Sequence, residues 1–181
     1  MAIGENMTDT QAKRLRDTLN RHEGFELEVY LDSEGNPTVG RGHLVLPEDN
    51  LKVGDTITKD RAEAFYEKDI NDARQVAENF VPNVWGDLSQ QRQNVLTNMS
   101  FNLGGPRLNK FEGLKGALQV GDYNLASDEM MDSIWSGQVG RRADNLAYRM
   151  ENDKWSSGVP WYKNAWWFAG DQFDKLKNWG N

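Results

Sequence analysis

The sequence predicts a mainly helical α+β fold with one short antiparallel sheet near its N-terminus. Three observations lead there. From Phe25 to Asp32 polarity alternates: Phe25, Leu27, Val29 and Leu31 fall on one side, and Glu26, Glu28, Tyr30 and Asp32 on the other. That period of two marks a strand with one buried and one wet face. From Thr58 to Met150 apolar residues recur instead at spacings of three and four, the period of amphipathic helices. Between these runs lie turn-forming clusters, Ser33-Glu34-Gly35-Asn36-Pro37 and Gly104-Gly105-Pro106 among them, which punctuate the chain.

Taken in order, residues 1–8 read as a loose leader. Thr8 or Asp9 caps a helix running to about His22, with Ala12, Leu15 and Leu19 as its apolar stripe. Gly24 stops it in the left-handed conformation, which leaves Glu23 at its last turn. After the strand and turn, Pro37 to Arg41 forms the return strand of a hairpin. Leu44 to Thr56 reads as a loop, with a third short strand at Asp55 to Ile57. Thr58 caps a helix to about Phe80, apolar at Ala62, Phe65, Tyr66, Ile70, Ala73, Val76, Ala77 and Phe80. Val81-Pro82-Asn83 ends it. Ser89 caps a helix to about Leu103. Phe111, Leu114, Ala117, Leu118 and Val120 predict a short helix closed by Gly121. Asp122 caps another, with Leu125, Ala126, Met130, Ile134 and Trp135 on one side and a break at Gly137. Val139 to Met150 makes the last of these helices and carries Arg141 and Arg142. From Trp155 onward the chain holds five of its seven tryptophans. This tail reads either as a packed helix or as a sugar-stacking surface, since aromatic rings serve both.

A chain of 181 residues predicts one domain, or two small lobes sharing a core. No apolar run is long enough to span a membrane, and no basic segment leads into an apolar one, so no secretory signal is expected. The absence of cysteine rules out disulfides and thiolate metal sites. Two histidines, His22 and His43, are too few for a multi-histidine site. Neither metal nor cofactor is expected. The net charge of −7 argues against a nucleic-acid partner.

Two carboxylates stand out. Glu23 sits at a helix C-terminus, whose partial negative charge disfavours a carboxylate, and beside Phe25, whose bulk would desolvate it. Both effects favour a proton-donating acid. Asp32, at a wet hairpin turn, is placed to stay ionised. Carboxyl groups whose environments push their pKa values apart are the requirement of glycoside hydrolysis. On local pattern alone, two solvated surface acids among 28 acidic residues explain the same positions.

The segment as a whole resembles a known family. His22-Glu23-Gly24, Tyr30-Leu31-Asp32 and Pro37-Thr38-Val39-Gly40-Arg41-Gly42-His43 are similar to the active-site segment of the T-even phage lysozymes. Asp32 follows Glu23 by nine positions and Thr38 follows Asp32 by six, which is that family's spacing. The likeness continues through Thr58 to Asp72, Arg92 to Phe111 and Trp135 to Arg142, and covers roughly residues 10–150. It implies a lysozyme-like α+β fold as a single domain: a small lobe at about 10–58, a connecting helix at about 59–80 and a helical lobe at about 81–181. It implies hydrolysis of the β-1,4 bond between N-acetylmuramate and N-acetylglucosamine in peptidoglycan, with inversion. In those roles Glu23 is the acid, and Asp32 with Thr38 holds the attacking water. Gly42, Leu44, Phe101 and Asn102 match cleft positions, Arg142 matches an arginine set against the acid, and His43 pairs with Asp69. Four residues depart from the family pattern: His22 replaces an aspartate, Asn145 a second arginine, and Leu114 and Glu129 polar cleft residues. The acidic net charge is a further departure, since wall polymers are anionic. The resemblance implies a monomer acting on bacterial peptidoglycan, made in a host cytoplasm and released to the wall, or carried on a virion. A lytic transglycosylase would need Glu23 but not Asp32, and a wall-binding or virion structural module would need neither.

Overall fold

The computed structural model describes Leu15 and residues 26–154. Within them β1 (Glu26–Leu31), β2 (Pro37–Gly40) and β3 (His43–Leu44) form an antiparallel sheet in chain order. Tyr30 pairs with Thr38 and Leu31 with Pro37, and Thr38 pairs in turn with Leu44. An irregularity between Glu26 and Tyr30 shifts the β1–β2 register. The other edge of β1 is covered by residues 54–57: Gly54 N–H donates to Val29, Val29 N–H to Asp55, and Ile57 N–H to Leu27. The third strand is thus His43–Leu44. The stretch expected as a strand, Asp55 to Ile57, contributes only the bridge of Thr56 to Glu28.

Among the described residues six helices follow: α1 (Lys59–Phe80), α2 (Gln90–Leu108), α3 (Glu112–Gln119), α4 (Tyr123–Met131), α5 (Ile134–Val139) and α6 (Arg141–Asn152). The mainly helical α+β class expected from the sequence is the class observed. By packing the chain divides into two compact units, Met1–Pro82 with Leu96–Asn109, and Asn83–Val95 with Lys110–Asn181.

In the first unit, alternation along β1 turns Val29 inward. It packs with Val39, Ile57 and Ala62, and Leu27, Val45, Leu51 and Phe65 close around them. Leu31 was expected on this buried face but is 56% exposed. It pairs with Pro37 at the turn end of the hairpin, beyond the stretch of β1 that residues 54–57 cover. Helix α1 begins at Thr58, whose hydroxyl accepts the Arg61 N–H at 3.2 Å, and buries Ala62, Tyr66, Ile70, Ala73, Ala77 and Phe80 at helical spacing. Leu15 joins Tyr66 and Ile70 in a second cluster, with Phe101 packed against it.

In α2 the break falls at Gly104 (φ 71°, ψ 165°), which needs the freedom glycine has, and helical turns resume through Pro106 to Leu108.

In the second unit Asp122 caps α4 by accepting the Leu125 N–H at 3.0 Å. Helix α4 packs on α3 and α6, and Leu114, Leu118, Met130, Leu146 and Met150 are wholly buried. Two residues expected in the apolar stripes are exposed: Val120 at 77% and Leu125 at 43%. Val120 lies one residue beyond α3, and Leu125 is in the first turn of α4.

The helix expected to continue to Gly137 instead divides in two. Ser133 Oγ donates to Met130 O and accepts from Ser136 N–H. Ser136 Oγ donates to Met131 O at 2.6 Å and lies 2.7 Å from Ser133 O. Serine hydroxyls competing for backbone groups end one helix and start the next. The break before α6 lies at Gly140 (φ 51°), not Gly137. Arg92 ties the unit together: its guanidinium donates to the Met150 and Glu151 carbonyls at the end of α6 and stacks 3.4 Å from the Tyr123 ring centroid.

Candidate active site

The β1–β2 turn is built around the side chain of Asp32. Its Oδ1 accepts the N–H groups of Glu34 and Asn36, each at 2.8 Å. Its Oδ2 accepts from Asn36 Nδ2 at 3.3 Å. The backbone closes the same loop: Asp32 N–H donates to Asn36 O and Gly35 N–H to Asp32 O, both at 3.0 Å. Gly35 turns with φ 84°, a conformation that suits glycine. The Asn36 N–H first, and then its side-chain amide and the Glu34 N–H, outweigh desolvation and hold the Asp32 carboxyl below the usual carboxylate range. Asp32 is therefore an ionised acceptor at neutral pH.

Thr38 is the second residue of β2 and is only 5% exposed. Its Oγ1 donates to Asn36 O at 3.1 Å. Asp32 and Thr38 thus meet at one residue, Asn36, whose carbonyl accepts from both. Thr38 lies on the middle strand opposite both Tyr30 and Leu44. Directly opposed residues project on the same face, and Tyr30 and Leu44 are exposed there. Gly42 (φ 88°) turns the chain between β2 and β3 and is exposed as well.

His43 is 4% exposed and clamped from both sides. Its Nδ1 lies 2.9 Å from an oxygen of Asp69 on α1. Its Nε2 lies 3.2 Å from Asp49, at the end of the 3-10 turn Pro47–Asp49, and Asp49 also accepts Leu46 N–H at 2.7 Å. Phe65 stacks on the ring at 4.0 Å and 8°. Burial alone would lower the histidine pKa; the bonds and charges of Asp69 and then Asp49 outweigh it and raise it.

The structure therefore brings together Asp32 with Thr38, and His43 with Asp69. Phe101 stands edge-on to Tyr66, with centroids 5.9 Å apart, and Asn102 beside it is exposed. Arg142 is buried in α6 within the second unit, and Asn145 Nδ2 donates to the Arg141 carbonyl at 2.9 Å. Leu114 is fully buried and so serves packing. Glu23, with His22 and Gly24, lies outside the described residues, as does the tryptophan-rich tail. Two residues went unnoticed in the sequence, Asn36 and Asp49. Asn36 carried a signal: an aspartate four residues ahead, across a glycine turn, is the setting of a side-chain-closed turn. Asp49 carried none beyond its place in a polar loop.

The family model for phage lysozyme matches residues 20–153. The chain belongs to the phage lysozyme family. The match spans the hairpin and all six helices, and the lysozyme-like α+β fold is what those elements form. Among similar proteins, the pre-baseplate central spike protein Gp5 of Enterobacteria phage T4 is 30% identical over 158 residues, covering 76% of this chain. This chain spans only 28% of that protein's length. A probable T4-type lysozyme of Dictyostelium discoideum is 28% identical, with 73% of this chain and 90% of the relative covered. An endolysin of Acyrthosiphon pisum secondary endosymbiont phage 1 is 36% identical over 118 residues, 65% of this chain and 74% of its own. Among the described residues no helix is long and apolar enough to cross a membrane.

Proposed function

We propose that this phage lysozyme is a peptidoglycan hydrolase that cleaves the β-1,4 bond between N-acetylmuramate and N-acetylglucosamine with inversion. The observation that carries the reading is the turn at Asp32. A carboxylate held ionised by three hydrogen bonds shares its anchor, Asn36, with the Thr38 hydroxyl. Such a pair suits the capture of one water.

The proposed reaction balances as follows. Water forms the new bond to the anomeric carbon as the bond to the leaving oxygen breaks. Glu23 gives its proton to that leaving oxygen, and Asp32 takes the proton lost by the water. Two carboxyl groups in opposite protonation states are needed, and both roles fall to groups of the protein. An inverting pair stands about 6.5–9.5 Å apart to admit a water, against about 5–5.5 Å for a retaining pair. A retaining nucleophile would have no use for the Thr38 hydroxyl beside it. In the same proposal Gly42, Leu44, Phe101 and Asn102 touch the glycan.

Proton NMR of the product released by fresh enzyme tests the mechanism. The α-anomer appearing first is expected. A β-anomer first would mean retention through a covalent intermediate, and a 1,6-anhydro product would mean transglycosylation. Either would remove the water-activating role of Asp32 and Thr38.

The likeness to a phage spike protein favours a second reading of where the enzyme works, as a virion component and not as a free lysin made in the host cytoplasm. Mass spectrometry of purified virions separates the two, because a free lysin would be absent from them.

A further inference from the structure

We propose that Asn36 is a positioning residue of this site, fixing which oxygen of Asp32 and which lone pair of Thr38 face the attacking water. The inference rests on the reading of Asp32 as the base, and goes beyond it by adding a residue and a polarity.

Asp32 Oδ1 accepts two backbone N–H groups at 2.8 Å, one of them from Asn36. Its capacity is largely used, so Oδ2 is the oxygen left for chemistry. Among the described residues the contact at Oδ2 is Asn36 Nδ2 at 3.3 Å. This donor limits rotation of the carboxylate while leaving room for a second donor on the same oxygen. The Thr38 hydroxyl has a single proton, and it points to Asn36 O at 3.1 Å. Thr38 can therefore only accept from a water. A water held here gives one hydrogen to Thr38 Oγ1 and the other to Asp32 Oδ2. Its free lone pair is then directed away from both, as attack on carbon requires. Apart from the Glu34 N–H on Oδ1, these constraints pass through one residue: its N–H, its carbonyl and its side-chain amide. The other charged groups at this turn are Glu34 and Arg107, whose Nη2 lies 3.9 Å from Glu34 Oε1. Neither is altered in the test.

The test compares Asn36→Asp, Asn36→Ala and Asp32→Asn with the wild-type protein. For each, kcat and KM on a soluble glycan fragment are measured against pH, and Tm is recorded. Asn36→Asp sets a like charge against Oδ2, so the acid limb of the kcat profile should move up by about one pH unit. Asn36→Ala keeps the backbone contacts and loses only the amide. It should lower kcat by roughly tenfold or more with KM and Tm nearly unchanged, the size of one hydrogen bond to a charged acceptor. The inference is overturned if both variants keep the wild-type kcat and acid limb. A fall in kcat that follows a fall in Tm would overturn it too, since Asn36 would then be serving the turn alone. Full activity in Asp32→Asn is a different failure, because it would remove the base itself.

Discussion

The clamp around His43 makes stability depend on pH in a direction that can be worked out beforehand. The perturbation is Asp69→Asn, which keeps a hydrogen-bonding group of the same size and removes the charge. The folded-state pKa of His43 is raised above its unfolded value of about 6.5. The stabilisation is therefore fully present below that value and is lost as pH rises through the folded pKa. At the acid end Asp49, whose pKa is lowered despite its burial by the Leu46 N–H and then by His43, loses its share as it protonates. The window thus opens above the carboxylate range and closes above about pH 6.5.

A hydrogen bond to a charged partner is worth about 1.5–3 kcal/mol, and a neutral one about 1 kcal/mol. His43 keeps Asp49 in the variant, so the cost at pH 5.5 should be about 2 kcal/mol, shrinking to about 1 kcal/mol or less at pH 9 once the imidazole is neutral. For a protein of this length that is about 4–8 °C in Tm at pH 5.5. The assay is thermal unfolding at both pH values, joined to NMR titration of the imidazole. With only two histidines in the chain, His22→Gln leaves a single reporter, which the stacked Phe65 ring should shift upfield. Equal destabilisation at pH 5.5 and pH 9, or a His43 pKa at or below about 6.5, would refute the reasoning.

Three further outcomes are expected. Glu23→Gln should abolish lysis of outer-membrane-stripped Gram-negative cells while Tm stays near wild type, because the amide keeps the shape but has no acid proton to give; near-normal turnover would sink its assignment. Leu146→Ala removes a fully buried side chain from α6 and should cost roughly 2–5 kcal/mol, seen as a lower denaturant midpoint at unchanged slope. Gly54→Ala introduces a Cβ where φ is 92° and no atom lies within 4 Å; the loss of about 1–2 kcal/mol would be backbone strain alone, and calorimetry showing no loss would mean the turn relaxes to another conformation.

Much of the fold was written locally. The period of two in Leu27 and Val29, the helical stripe from Ala62 to Phe80, and the caps at Thr58, Ser89 and Asp122 each depend on residues a few positions apart. The hairpin that carries Asp32 and Thr38 was legible in the same way, because it is a local structure; the spacing of Glu23, Asp32 and Thr38 carried meaning only through the family resemblance. What the sequence could not decide was where a stripe stops being covered. Leu31, Val120 and Leu125 carry the same hydrophobic signal as their buried neighbours, and only the reach of the packing elements leaves them in water. Nor could it decide which of several serines would win a backbone group, and Ser133 divides a helix whose apolar period runs straight through. The second partner of His43, Asp49, belongs to this class too. A polar loop residue names no partner until tertiary packing has set its distances, and hydrogen bonds form only where those distances close to about 3 Å.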